Sequence, residues 1–458
     1  MRVSRWSYRG GLSVVALVLG AALVSVAETR PEPVQVGVDN RQSATGAPLT
    51  LTLQDAIARA RKHNPEYRAA LTDFGVTKQE RAESRAALLP NVNYNAEFLY
   101  TEGNGTAAGR FVANNGVHEY LSQGNVHQEF SLAHIADYRR TAAAEAVANA
   151  RVEIAARGLV LTVVGAYYGL VVAERKYATA ERADGEAQRF LETSQKLEQG
   201  GEVARSDVIK AELQSQQQRR DLTEAKLGME RSRVELAVLL FPDFKQDFNV
   251  VDDLEVPEAL LTFPQVQAAA ADKNPELRAA LAAVREANQQ VAGARNGFLP
   301  SLNVDYFYGI DADRFAIRKF DPASGRDVRN LGYAATATLQ LPIWDWGANR
   351  SRLQQADLRR DQARVELSFA QRKLLGDLRT FYNEAQTARL ELESLDKSAE
   401  LAAESLRLTT LRYQGGEATV LEVVDAQNTL TGARNAYDDG QVRFRVAIAN
   451  LETLTGNF

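Results

Sequence analysis

The chain is written twice, and a duplication of this size dictates a pseudo-symmetric architecture. Leu51-Thr52, Asn64-Pro65-Glu66, Arg68-Ala69-Ala70-Leu71 and Leu89-Pro90 recur as Leu261-Thr262, Asn274-Pro275-Glu276, Arg278-Ala279-Ala280-Leu281 and Leu299-Pro300. Pro65 to Pro275 and Pro90 to Pro300 are both shifts of 210 residues. Further on, Gln199-Gly200-Gly201-Glu202 recurs as Gln414-Gly415-Gly416-Glu417 at a shift of 215, so five extra residues are expected in a loop between. Copies of about 200 residues are too long for solenoid units. The expected organisation is a first half over 49–242, a linker over 243–260 and a second half over 261–458.

Each half follows one grammar. A short helix opens after Thr52 or Thr262 and breaks at Asn-Pro, where proline restarts a helix in its first turn. That helix ends before Leu89-Pro90 or Leu299-Pro300, and the apolar period then switches to two. Val92, Tyr94, Ala96, Phe98 and Tyr100 alternate with Asn91, Asn93, Asn95 and Glu97; Leu302, Val304, Tyr306 and Tyr308 alternate with Ser301, Asn303 and Asp305. Strands with one apolar and one polar face are expected at about 90–100 and 300–310. Loops follow at 102–118 and 311–330, then returning strands at about 119–132 and 331–342. In the second, Leu331, Tyr333, Ala335, Ala337, Leu339 and Leu341 share a face; the first, diluted by Gly124 and Gln128, is assigned mainly by the repeat. Strands of about 10 residues suit a tilted crossing of a bilayer. Trp344 and Trp346, just past the last strand, suit a membrane-interface belt. A soluble sandwich is the alternative. Four strands cannot close a barrel by themselves, because the smallest outer-membrane barrels have eight.

The remainder is helix of unusual length. From Ala348 to Gln414 there is no proline, and Gly376 is the one glycine. Leu374, Leu378, Phe381, Ala385, Ala388, Leu392, Leu395, Ala399, Ala402, Leu406, Thr409 and Tyr413 step by fours and threes, a coiled-coil seam. Such a helix reaches about 100 Å at 1.5 Å per residue. Two coiled-coil hairpins are expected, over about 136–240 and 348–454, each turning at a Gly-Gly pair. Leu159 to Ala173 is apolar throughout but too short to cross roughly 30 Å of hydrocarbon as a helix, so it reads as a buried part of a longer one.

Composition narrows the function. The 458 residues contain no cysteine, which excludes disulfides, thiolate metal sites, thiol nucleophiles and a lipid anchor on an N-terminal cysteine. Net charge is −5, from 54 Lys+Arg against 59 Asp+Glu. An acidic chain without a concentrated basic tract argues against nucleic acid as partner. Residues 1–27 have a basic start, an uncharged apolar run from Gly11 to Ala27, and small residues Ser25 and Ala27 before Glu28, the secretory pattern. A signal peptide is therefore expected at 1–27, with an N-terminal extension over 28–48.

The duplicated helix–strand–loop–strand–helix halves, the Leu-Pro strand starts and the hairpins closing on Gly-Gly together resemble the TolC family of outer-membrane efflux proteins, from Leu49 to Leu454. The resemblance implies a homotrimer, mainly α with a transmembrane β-barrel, in which three chains give four strands each to a 12-stranded barrel above a periplasmic α-barrel. It implies an exit duct in the outer membrane lipid, serving a periplasmic adaptor (membrane fusion protein) and an inner-membrane transporter in efflux or type I secretion, with no cofactor. Glu422 and Asp425, three apart and so on one helix face, match the family's acidic positions at the periplasmic constriction. Threefold symmetry makes them rings that attract cations; a solvated surface pair is the alternative. Tyr413 matches the family's gate tyrosine, and Asp207, preceded by Ser206, its partner acid. Where the prototype has arginine this chain has Ala418, so Arg205 or Lys210 is the candidate cation of the gate. The adaptor is expected at the tips, Gly200, Gly201, Gly415 and Gly416.

Two other classes compete. An enzyme is disfavoured, since no phosphate-binding loop with lysine, HExxH or compact nucleophile motif occurs. The four histidines, His63, His118, His127 and His134, are too loosely spaced for a metal site. A soluble periplasmic coiled-coil adaptor remains the main rival, although adaptors do not repeat a strand–loop–strand insert. A passive porin is disfavoured because so much chain is helix outside the bilayer. The cargo is not legible.

Overall fold

The computed structural model describes residues 49–100, 118–243, 246–255 and 259–456. The expected signal peptide and N-terminal extension, and almost all of the expected loop 102–118, lie outside the described residues. The elements run β1 (Leu49–Leu51), α1 (Leu53–His63), α2 (Pro65–Ala86), β2 (Asn91–Tyr100), β3 (His118–Phe130), α3 (Leu132–Gln199) and α4 (Arg205–Leu240). They continue with β4 (Phe248–Val250), α5 (Phe263–Lys273), α6 (Pro275–Asn296), β5 (Ser301–Ala312), β6 (Arg318–Asp321), β7 (Arg326–Arg329), β8 (Leu331–Gln340), α7 (Ala348–Gln414) and α8 (Val420–Thr455).

The two halves repeat down to their caps. Asn64 and Asn274 each end one helix and cap the next, their side chains accepting from Tyr67 N at 2.8 Å and Leu277 N at 2.9 Å, with proline at the first helical position. A proline there gives up an amide that would have no helical partner anyway. Helices α4 and α8 are both 36 residues long. The five-residue difference does not sit in one loop. Seventeen residues separate the paired Tyr100 and His118, and twenty separate Ile310 and Leu331. A single residue, Ser131, joins β3 to α3, whereas seven join β8 to α7; because β3 is three residues longer than β8 and α3 one longer than α7, this stretch accounts for the remaining two. The expected 311–330 loop also builds a small hairpin, β6 with β7. Strand β3 stops at Phe130 rather than 132, because the Ser131 hydroxyl accepts from Ala133 N and starts α3 there.

Strands β2, β3, β5 and β8 form one antiparallel sheet in that order. Cross-strand partners share a face, so the register aligns Val92 with Val126, Tyr306 and Ala335, and Tyr94 with Gly124, Tyr308 and Tyr333. That face is mostly apolar, interrupted on β3 by Ser122 and Gln128, and many of its large side chains lie open: Val92 is 75% exposed and Tyr333 76%. The other face is largely polar, with Asn91, Asn93 and Asn95 beside His127, Asn125 and Gln123. The His127 ring bonds Asp305 across β3 and β5 at 2.7 Å. Gly309 belongs in this sheet for a steric reason, since a Cβ there would collide with the Ser122 carbonyl of the neighbouring strand.

The seam of α7 faces inward as its spacing requires: Leu374, Leu378, Ala385, Ala388, Ala402, Leu406 and Tyr413 are buried. The apolar stretch of α3 is also interior. Val160, Val163, Val164, Tyr167, Leu170 and Val171 form a core with Leu51, Leu236, Leu240 and Phe248. Among the described residues α3 is the one helix long and apolar enough to cross a membrane by length and composition, and that stretch is covered by its own chain.

A strap fastens the middle of the helices. Strands β1 and β4 pair in parallel across α3, and the buried Tyr167 hydroxyl bonds both sides, lying 3.1 Å from Leu51 O and 2.7 Å from Val251 O and accepting from Val251 N at 3.0 Å. Burial pushes its pKa up to about 12, keeping the proton it donates. Arg175 extends the strap to α8, bonding Asp252, Asp438 and Gln441. Tyr167→Phe removes the hydroxyl's bonds to Leu51 O and Val251 O, while the Val251 amide keeps its bond to Leu51 O at 3.0 Å. It is expected to cost about 1 kcal/mol, read as a lower unfolding temperature with unchanged helix content.

Candidate functional site

Both hairpin tips are built by the same backbone device. Helix α3 ends at Gly200, and Gly201 turns left-handed at φ 77°; α7 ends at Gly415, and Gly416 turns at φ 76°. Only glycine adopts this conformation without a Cβ penalty. The amides of Glu202 and Glu417 return to Leu197 O at 2.9 Å and Arg412 O at 2.8 Å, closing the last turns.

The helices that leave the tips start differently. Helix α8 opens with a capping box: Glu422 N donates to the Thr419 hydroxyl at 3.4 Å, while the Glu422 carboxylate accepts from Thr419 N at 3.0 Å. Arg412 lies 3.5 Å from the same carboxylate. The Thr419 amide and hydroxyl, and then the Arg412 charge, hold the Glu422 carboxyl below its ordinary value. Asp425, one turn on, is exposed and makes no hydrogen bond or ion pair among the described residues. The two acids therefore share a helix end but not a role: Glu422 is turned back into the cap, and Asp425 is the open carboxylate. Thr-x-x-Glu at 419–422 is a capping signature visible in the sequence, and it is the signal that identifies this second role.

In the first half the cap position is Ala204, which makes no side-chain cap bond. Asp207 pairs instead with Lys210 at 3.1 Å, and Arg205 reaches across the turn to Glu198 at 3.4 Å. Ser206 is exposed. Tyr413 is 3% exposed, and its hydroxyl bonds Ser194 Oγ on α3 at 3.0 Å while its ring packs on Phe190. Within one chain, then, Tyr413 is tied to Ser194, and Asp207 to Lys210. Nothing in the spacing of the sequence marks Ser194. Around them Ala211, Leu406, Val420, Val423 and Leu430 form the apolar core of the tip. A buried polar layer follows, in which Gln214 and Gln218 both donate to Asn428 Oδ1.

At the other end, the stretch between β8 and α7 holds Ile343, Trp344 and Trp346 at 87%, 75% and 89% exposure. Asp345 organises it, accepting from Gly347 N and Asn349 N and so capping α7. Trp346 sits at φ 55°, a conformation rare for a bulky residue. The indoles pack edge to face at 5.6 Å and point away from the rest of the chain's surface. Among the described residues no group of three or more His, Cys, Asp or Glu could hold a metal ion.

Comparison with known proteins locates this architecture. Residues 266–457 match the family described as outer membrane efflux protein. The chain is 22% identical over 426 residues to the alkaline protease secretion protein AprF of Pseudomonas aeruginosa, covering 89% of this chain and 85% of AprF. It is 22% identical over 421 residues to the outer membrane protein TolC of Escherichia coli, covering 88% and 82%. The outer membrane channel CmeC of Campylobacter jejuni superposes with a TM-score of 0.75 at 19% identity, over 88% of this chain and 85% of that one.

The Glu422 cap has a pH signature. With the folded value below the ordinary 4.5, the cap is complete above the ordinary carboxylate range and is lost as pH falls through the folded value. Amide exchange at Thr419, whose N–H the carboxylate holds, is expected to gain on that of its neighbours in that acid window. Thr419→Ala is expected to cost about 1 kcal/mol at the α8 start and to shrink the step without abolishing it, because the amide of residue 419 still donates to the carboxylate. An unchanged exchange profile in Thr419→Ala contradicts the cap.

Proposed function

We propose that this chain, a member of the TolC family of outer-membrane efflux proteins, is the outer-membrane exit duct of an efflux or secretion assembly. One observation carries the reading. A four-stranded sheet with a broad, largely exposed apolar face and two unpaired edges is joined to helices about 100 Å long. In water such a face is a liability. In lipid, open sheet edges are not tolerated, so the strands must close into a barrel with those of other copies. Three chains give twelve strands, the apolar face toward lipid and the polar face toward a water-filled lumen. The helices continue the duct through the periplasm toward an adaptor and an inner-membrane transporter. A soluble adaptor, the rival reading, has no use for the apolar sheet.

Particular residues then take roles. Trp344 and Trp346, thrown outward at the junction of sheet and helices, anchor the barrel in the interfacial layer, where indoles are favoured. Asp425 forms a ring of three carboxylates at the narrow end and draws cations into it. Glu422 stands beside that ring and stiffens the helix start that carries it. Gly200, Gly201, Gly415 and Gly416 present the tips to the adaptor. The closed state is held by polar links among Tyr413, Ser206, Asp207, Arg205 and Lys210. The pairs Asp207–Lys210 and Tyr413–Ser194 within one chain support the reading that these groups trade partners when the tips move.

The mature protein, extracted from the membrane fraction, is expected to have the native mass of a trimer; a soluble monomer sinks the duct reading. In planar bilayers, Asp425→Asn is expected to weaken block by a trivalent cation on the order of tenfold or more, since three charges act together at short range. Glu422→Gln, whose amide oxygen keeps the cap, is expected to change block much less; equal loss in both variants contradicts the division of roles. Arg205→Ala combined with Lys210→Ala is expected to raise conductance, and unchanged conductance and export remove both residues from the gate.

A further inference from the structure

The β6–β7 hairpin carries charge and apolar surface that the duct does not use. Strand β5 starts at Ser301, opposite Gln340 and so beside the Trp344–Trp346 turn, and its 12 residues carry the chain to Ala312 at the far end of the sheet. At about 3.3 Å per residue and a tilt near 40°, that is a rise of about 30 Å, one hydrocarbon thickness. With the tryptophans at one interface, residues 313–329 stand at the other. Phe315 ties the hairpin to the apolar face of the sheet. Phe98 and Tyr120 are cross-strand partners on that face, with ring centroids 4.8 Å apart, and the Phe315 ring lies 6.4 Å beyond Tyr120. Phe315, Ile317 and Phe320 are 65%, 60% and 60% exposed, so the open apolar surface continues onto the hairpin.

The charges there run against the acidic balance of the chain. Arg314, Arg318, Lys319, Arg326 and Arg329 stand against Asp313, Asp321 and Asp327. Two of these acids are already engaged. Asp313 pairs with Lys319 at 2.6 Å, and Asp321 accepts from Ala323 N at 3.0 Å and Ser324 Oγ at 2.7 Å within the turn. The four arginines are exposed, and their guanidinium groups make no hydrogen bond or ion pair among the described residues. The register sets Arg318 directly opposite Arg329, and like charges so placed work against the pairing. Phe320, two residues from Arg318, shares their face. A two-stranded ribbon is marginal by itself, so this repulsion calls for an anion from outside the hairpin.

We infer that the β6–β7 hairpin binds the phosphate groups of lipid in the leaflet around this end of the barrel. Arg318 and Arg329 clamp a phosphate, which suits the forked guanidinium, and Arg314 and Arg326 add charge. Phe315, Ile317 and Phe320 enter the apolar layer beneath the headgroup. The inference rests on the duct reading, which supplies the bilayer. A soluble anion would account for the arginines but not for the open phenylalanines; a lipid without net charge would account for the phenylalanines but not for the unneutralised arginines.

The test uses the mature trimer in a neutral detergent, with bound lipid counted by native mass spectrometry. The probes are lipid A with its two phosphates, the same lipid with both phosphates removed, and tripolyphosphate as an anion without acyl chains. The trimer is expected to retain the diphosphorylated lipid in preference to the other two. Arg318→Gln with Arg329→Gln is expected to lower that affinity on the order of tenfold or more, at about fivefold per charge near a lipid surface. Arg318→Lys with Arg329→Lys, which keeps the charge, is expected to lose less. Equal retention of the dephosphorylated lipid, or unchanged affinity in the glutamine pair, overturns the inference. Tripolyphosphate bound as tightly as the lipid also overturns it and makes the partner a soluble anion. Loss of the trimer in the glutamine pair overturns it by assigning the arginines to a contact between copies. A wild-type trimer that does not select the phosphorylated lipid overturns this inference alone, whereas a soluble monomer overturns the duct reading with it.

Discussion

Everything in this chain depends on backbone groups that have no partner. The outer edges of β2 and β8 end a sheet whose apolar face is open from Val92 to Leu339. Each unpaired N–H or C=O costs several kcal/mol in hydrocarbon. The penalty is removed when the edges meet the edges of other copies, so the bilayer makes assembly a condition of the fold. The helices inherit that condition. Joined to the sheet through Ser131 and through the Asp345 turn, α3 and α7 leave the same rim, with α6 packed against both.

Duplication gives the two halves matching hairpins, α3 with α4 and α7 with α8, each closing on a Gly-Gly tip. The strap of β1, β4, Tyr167 and Arg175 binds the halves at mid-length and leaves the tips to their own interactions. There the halves diverge: Thr419 and Glu422 cap α8, whereas Ala204 leaves the start of α4 without a side-chain cap. An uncapped helix start is less firmly held than a capped one, so α4 begins less securely than α8.

Much of the fold was legible because it is periodic. The Asn-Pro junctions, the period-two strands and the Leu374-to-Tyr413 seam each follow from spacing, and the structure buries or exposes those residues accordingly. What resisted reading was short-range and irregular. The five-residue offset is divided between a hairpin loop and the Trp344–Trp346 segment, and the division depends on where a hydroxyl or carboxylate happens to cap a helix, Ser131 in one half and Asp345 in the other. The β6–β7 hairpin was missed because its alternation is only four residues long and mostly charged.

The site divides the same way. From the sequence alone came the pairing of Glu422 with Asp425 on one face, the glycine tips, and the exposed character of the two tryptophans, all consequences of local geometry and residue chemistry. Only the tertiary structure decided that Arg412 joins the Glu422 cap while Asp425 stays open, and that Tyr413 bonds Ser194 from 219 residues away. Periodicity fixes which face of an element a side chain occupies, because that depends on the backbone alone. Which partner it finds there depends on the approach of a second element, and that is settled only when the whole chain has packed.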